Sequence, residues 1–557
     1  MNTTLQYDHY FDYEELTAGL HQLQKQYSQL MTLTSLTKTS EGRDVWAVEI
    51  THSSSEASKK PAFYVDGNHH AGEVTGSMAS MHLLDYVLTN HQAPEIQTLL
   101  QTIVLYIIPR ISPDGAETYL KTPYYLRSVN KAYPYPAPKQ AVYMEDLDGD
   151  GVIRKMRIQS KTGSWKESST DPRIMVKRSP DDQVGNFYEI YDEGILIGYE
   201  GESIQPGKPQ WGLDFNRNYP FGWFVESRQP GAGPYPLSNP ETKAVADFVL
   251  AHSNICFVST MHTSGGIILF PPGTKPEKAG HKADMKMYRE IGKLATAEMG
   301  YPVVNIFDGF MPDQEFYSSG AFDDWCYHTQ GIPAYTVELW DMQRRAGVEQ
   351  VWPSKKTDEE YEADYAKELA WIETNVGTDA IKPWTRIEHP QLKGHIVEVG
   401  GYEYKYTQQN CPLPFLKQEV EKTTRFCLRN ALVLPKLEWE LIQVTALGDT
   451  VFEVKAKLSN VGYLPTYLCE EARSVQAAQP INISCHVNGL AVKEEQVSGL
   501  AGYGQANSAY SYHGITTSNH ESQSKLMTFY VESQSGTTIA LTAAHPKAGE
   551  ANLVIQL

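Results

Sequence analysis

Short apolar runs of strand length, parted by stretches with helical spacing, constrain this chain more than any other feature. Residues 62–65, 103–108, 255–260 and 334–339 are too short for buried helices and read as buried strands. Residues 45–50 alternate like a strand after the Gly42-Arg43 turn. Between these runs, residues 13–30, 77–88 and 240–252 carry apolar side chains at helical intervals, the last opened by Ser238-Asn239-Pro240. Strands alternating with helices predict an α/β fold, a mixed twisted sheet covered by helices on both faces.

A length of 557 residues exceeds one ordinary domain. From about residue 128 to 211 the text turns polar and rich in Gly and Pro, which predicts a structured insertion near the functional face. Beyond Pro435, residues 437–444, 451–458, 481–487 and 525–531 read as short strands with no convincing helix. We therefore expect a catalytic domain over 1–430 and an all-β sandwich over 435–557. A stretch at 410–414 and a helix over 416–431 bridge the two.

Charge and composition narrow the partners. A formal charge of −19 argues against nucleic acid and anionic membrane, which would repel the chain. No run approaches the length of an apolar membrane span. The six cysteines are scattered without a CxxC pair, as in buried thiols. The opening MNTTLQYDHYFDYEEL lacks the basic and apolar regions of a signal peptide, so a cytoplasmic location is expected.

The chemistry concentrates in residues 63–77, FYVDGNHHAGEVTGS. A buried strand runs into a Gly-Asn turn, then His70-Ala71-Gly72-Glu73. A His and a Glu three apart in a loop can aim one imidazole and one carboxylate at the same cation, and zinc suits that donor mix. The spacing alone is common, and a turn histidine is more often a surface hydrogen-bonder. A third donor, His262, stands where an apolar strand gives way to a small-residue loop. Two histidines and a glutamate leave one tetrahedral position open, as catalytic zinc sites do. Glu338 ends another apolar run, where a carboxylate is costly to bury without a role; a strand-end Glu reaching solvent or an arginine is the plainer reading.

Further blocks follow in order. They are Ser40-Glu41-Gly42-Arg43, Ser112-Pro113-Asp114-Gly115, Asp214-Phe215-Asn216-Arg217-Asn218, the helix start at 233–241, Met261 to Gly265, and Tyr317 through Asp323-Asp324-Trp325 to Leu339. Together with Gly67 to Glu73 they resemble the zinc carboxypeptidase family, metallopeptidases of the carboxypeptidase A type. The resemblance implies one zinc per chain on His70, Glu73 and His262, with Asp214 orienting an imidazole from behind. It implies Glu338 as general base, Arg127 as oxyanion stabiliser, and Asn216, Arg217 and Tyr317 as a clamp on the substrate's terminal carboxylate. Peptides with a free C-terminal carboxylate are the implied partners. Asp323 falls on the position lining the pocket for the terminal side chain, which implies a preference for Lys or Arg.

Departures from the pattern are Ser112 for Asn, Gly72 where pancreatic members carry Arg, and a one-residue gap after Tyr317. Arg110 competes with Arg127 for the oxyanion role. The alternative functions are hydrolysis of another amide at the same zinc, in cell-wall or modified peptides, and peptide binding without catalysis. Separately, Asp146, Asp148 and Asp150 have the alternate carboxylates of a calcium loop, but Arg157 stands where an EF-hand has Glu. An acidic hairpin turn is the other reading, and both stay open.

Overall fold

The computed structural model describes residues 1–131, 140–201, 204, 211–311, 313–349, 356–505 and 522–557. Its centre is an eight-stranded sheet of β1 (Met31–Lys38), β2 (Asp44–Ile50), β3 (Ala62–Gly67), β4 (Val104–Ile108), β5 (Ile255–Thr263), β6 (Ile267–Phe270), β7 (Val303–Asn305) and β8 (Ala334–Leu339). In space the order is β1-β2-β4-β3-β5-β8-β6-β7. The middle strands β4, β3, β5 and β8 run parallel. The antiparallel pairings β1–β2, β2–β4 and β6–β8 make the sheet mixed.

Helices cover both faces because both faces of the central strands are apolar. On one side, Phe248 and Phe322, from the helices Pro240–Ala251 and Phe322–Gln330, pack on Tyr64 of β3. On the other, Phe426 of the helix Leu413–Ala431 meets Tyr335 of β8. The helix Val74–Thr89 shares that side. A Cβ on Gly67 would come within 2.6 Å of the Gly76 carbonyl, and one on Gly76 within 2.6 Å of the Met261 carbonyl. Only glycines let this helix start directly against the ends of β3 and β5. Val65, Val258 and Val337 are wholly buried, and each such side chain contributes roughly 1.5–3 kcal/mol. An Asp at Val258 would put an unpaired charge there and break the core.

The helix starts obey local rules. Asp12 and Glu15 form a capping box for Tyr13–Gln26, and Thr357 and Glu360 do the same for Asp358–Asn375. The second of these helices, like Lys282–Met299, goes beyond the elements expected from periodicity.

The polar excursion does not fold by itself. Its strands Lys155–Gln159, Tyr188–Asp192, Trp165–Glu167 and Met175–Lys177 join Ile381–Ile387 and Val397–Tyr402 in one six-stranded sheet. Val142, Met156 and Leu196 share a core with Leu392, Val397 and Val399. Residues 132–139, 202–203 and 205–210 of the expected insertion lie outside the described residues.

Past Pro435 two antiparallel sheets of three and four strands enclose one core, with Val454 and Leu458 from one and Ile483 and Leu541 from the other. The expectation of no helix there needs a correction. Glu470–Ser474 forms a single short helix, too brief for periodicity to register. Its first amides donate to Asp284, which also accepts from Tyr327, and Glu471 pairs with His328 at 2.7 Å. The β-region therefore grips the helix Phe322–Gln330. All six cysteines are buried and unbridged.

Candidate metal centre

Three neighbouring strands deliver the site. β3 ends at Gly67, and the chain turns through Asn68 in the left-handed region, φ 67°. The Asn68 amide then donates to the carbonyls of His70 and Ala71 at 2.7 and 3.1 Å, which shapes the loop 68–73. In the parallel β5–β8 pairing His262 lies directly opposite Glu338, so both side chains rise on the same face.

His70, Glu73 and His262 are buried and converge. His70 Nδ1 stands 2.8 Å from Glu73 Oε1, His262 Nδ1 2.9 Å from Glu73 Oε2, and the two Nδ1 atoms 3.1 Å apart. Tetrahedral zinc holds its ligand atoms roughly 3.3 Å from one another, given bonds of about 2.0–2.1 Å. The far nitrogen of His70, Nε2, sits 3.0 Å from Asp214 Oδ1, which assigns it the ring proton and turns the Nδ1 lone pair inward. Two imidazole nitrogens and a carboxylate this close lack a proton for every contact, and a divalent cation satisfies all three. The residues fit zinc.

Charge around the triad is ordered. Burial works to raise the Glu73 carboxyl, but His70 and His262 pull it well below the usual range. Asp214 is likewise raised by burial yet held far down by Arg127 and His70. Arg127 donates to Asp214 at 2.9 Å and to Glu73 at 3.3 Å, and these carboxylates outweigh burial to keep it charged. Glu338 behaves in the opposite sense. Burial, then Glu73, push its carboxyl well above the usual range, against Arg127 and Arg217. Its Oε2 has no protein partner among the described residues.

Arg110, the rival of Arg127, is buried elsewhere, donating to Ser77 and to the Phe11 carbonyl. Asp214 also caps the turn Phe215–Arg217 by accepting from the Asn216 amide. That turn sets Arg217 near Asp214, Arg127, Asp323 and Glu338, where burial lowers its pKa. Asn216 accepts from the Phe322 amide at 2.8 Å. Asp323 is buried at the start of the helix Phe322–Gln330; Thr336 donates to it at 2.6 Å and the Asp324 amide at 2.8 Å. Tyr317 packs against the cluster of Ile267, Leu269, Ile306 and Met311, its ring 6.2 Å from those of Phe224 and Phe307.

The acidic loop carries its own cations. Lys382 stands 2.6 and 2.7 Å from the carboxylates of Asp148 and Asp150, and Arg154 2.6 Å from Asp150. Asp146 accepts from the amides of Gly149 and Gly151. Asp146, Asp148 and Glu193 still bring carboxylate oxygens within 4.8 Å of one another.

Sequence reasoning passed over residues 404–410, which back the ligand loop. Asn410 donates to the Gly72 carbonyl at 2.7 Å and accepts from the Thr75 amide at 2.9 Å. Gln409 occupies the space where a Cβ on Gly72 would lie, its Nε2 2.8 Å from that point. The one available signal was the aromatic run Tyr402-Glu403-Tyr404-Lys405-Tyr406.

Comparison with known proteins agrees with this geometry. The family model described as zinc carboxypeptidase matches residues 16–366, and a domain of unknown function matches 436–556. Human carboxypeptidase O is 36% identical over 141 residues, covering 24% of this chain and 36% of that protein. Bovine carboxypeptidase O is 23% identical over 348 residues, covering 61% and 72%. Among solved structures, carboxypeptidase A from Helicoverpa armigera aligns with 18% identity and a TM-score of 0.42, over 68% of this chain and 76% of that one. With a family match spanning well over half its length and carrying the donor set and its supporting carboxylate, the chain belongs to the zinc carboxypeptidase family.

Proposed function

We propose that this protein is a metallocarboxypeptidase that hydrolyses the last peptide bond of peptides with a free C-terminal carboxylate. The observation that carries the reading is the opposition of His262 and Glu338 across two parallel strands. It sets a carboxylate whose Oε2 has no hydrogen-bond partner among the described residues beside a complete donor set. Zinc on His70, Glu73 and His262, when bound, supplies a Lewis acid that polarises the scissile carbonyl and acidifies water.

The chain's own groups do the rest. Arg217 and the Asn216 amide bind the terminal carboxylate, and a guanidinium fork suits it in shape and charge. An internal peptide bond offers no such group, so the clamp restricts cleavage to chain ends. Glu338 takes a proton from the attacking water and returns it to the leaving amine. Burial and Glu73 raise its pKa, which makes the carboxylate a stronger base toward the water proton. Arg127 faces the negative charge that develops on the carbonyl oxygen. Tyr317 is the third member of the clamp. Asp323 selects the terminal side chain.

Metal analysis of purified protein should find about one zinc per chain. His262→Ala should lose both the zinc and the release of C-terminal residues while keeping the native circular dichroism. Stoichiometric zinc in that variant would sink the ligand assignment.

A further inference from the structure

Residues beyond the family match, which ends at 366, back the ligand loop. The firmness of this segment comes from side chains that point inward. Lys405 is buried and donates to the carbonyls of Tyr119 and Thr122 at 2.6 and 2.7 Å. The Tyr406 ring lies 5.4 Å from that of Tyr10 and 6.1 Å from that of Tyr119. Gln409 accepts from the Tyr119 hydroxyl at 3.0 Å, and Asn410 fastens the same segment to Gly72. Tyr404, immediately before these anchors, turns the other way and is 38% exposed. Its ring lies 5.9 Å from that of Tyr125, inclined at 54°.

Connectivity locates this ring pair. Tyr125 is two residues before Arg127, whose carbonyl accepts from the Ala71 amide at 2.6 Å, and Gly72 adjoins Glu73. The pair therefore borders the Glu73–Arg127 side of the centre. Burial raises the Tyr404 hydroxyl, Glu73 raises it further and Arg127 lowers it. Arg217 and Asp323 stand on the other side, toward β8: Thr336 of β8 donates to Asp323, and Asn216, next to Arg217, accepts from the Phe322 amide. A peptide clamped by Arg217, with its scissile carbonyl at the triad, must leave the centre in the direction of Tyr404. Two aromatic rings held at that exit by a fixed backbone form an apolar surface that a side chain can cover.

We propose that Tyr404, with Tyr125, is a specificity-determining residue that receives an aromatic side chain on the acyl side of the scissile bond. This rests on the carboxypeptidase reading. The test uses the zinc-loaded full chain and three peptides sharing one C-terminal residue: acetyl-Gly-Gly, acetyl-Phe-Gly and acetyl-Gly-Phe before it. The measured quantity is the ratio of kcat/KM for the better Phe peptide to that for the Gly peptide. The ratio is internal to each preparation, so partial loss of folded protein does not alter it. Tyr404→Ala should lower the wild-type preference about tenfold, and Tyr404→Phe should keep it within about twofold. Tyr125→Ala removes the other ring and is read in the same way if Tyr404→Ala does not fold. A wild-type ratio near one, or a ratio unchanged in the alanine variants, overturns the subsite while leaving the carboxypeptidase reading intact. Wild-type protein that releases no terminal residue from any peptide overturns that reading, and the subsite with it.

Discussion

Glu338 is placed where an ordinary carboxylate is uncomfortable: buried at the end of an apolar strand, beside Glu73 and Asp323, with one oxygen lacking a partner among the described residues. Positioned for proton transfer, it should act in the transition state more than in binding. Glu338→Gln is expected to lower kcat by on the order of a thousandfold, with KM and zinc content little changed. Near-normal turnover with a raised KM would make Glu338 a binding residue. Asp323 gives a second prediction at this scale. Both its oxygens are held, by Thr336 and by a helix amide, and it neighbours Arg217. A carboxylate fixed at the pocket should favour Arg over Phe at the substrate's end. Faster release of Phe from otherwise identical peptides would remove Asp323 from specificity.

At the scale of elements, the ligand loop depends on a segment more than three hundred positions away. Asn410 satisfies the Gly72 carbonyl and the Thr75 amide, on either side of Glu73. Asn410→Ala would leave both groups buried without those partners, at a cost of roughly 1–3 kcal/mol each. We expect zinc affinity to fall about tenfold or more, read by competition with a chromogenic chelator. Unchanged affinity would show that the loop holds its shape without Asn410. The segment's π-helical turn, Lys405–Gln409, has no period that sequence inspection recognises. By contrast β3, β4, β5 and β8 were legible, because strands buried on both faces become continuous apolar runs.

For the whole molecule, buried histidines add to the acid sensitivity. Burial lowers His82 to about 4, between the helices Val74–Thr89 and Leu413–Ala431, where it meets Thr424 at 2.7 Å. Its folded pKa lies below the ordinary 6.5, so its contribution is complete above pH 6.5 and disappears as pH falls toward 4. The loss is on the order of 2–3 kcal/mol. His82→Asn should lower the melting temperature at pH 7 through lost packing, yet reduce the further drop between pH 7 and pH 5. An undiminished drop would assign the acid sensitivity elsewhere. His545, also lowered to about 4 by burial, titrates in the same window within the C-terminal sandwich.

By itself the sequence named the candidate donors His70, Glu73 and His262, the apolar runs beside them and the α/β class. Each of these was read from a local pattern, an apolar run feeding a loop with a ligand-type residue, repeated at 63–73 and at 255–262. Tertiary structure alone decided between Arg127 and Arg110, because only the fold shows which guanidinium meets Glu73 and which is spent on Ser77 and Phe11. It also decided that the polar excursion shares a sheet with 381–402, and that Lys382 and Arg154 pair with carboxylates of the acidic loop. These are contacts between residues far apart in sequence, and neither periodicity nor spacing records which distant backbone or charge will stand beside them.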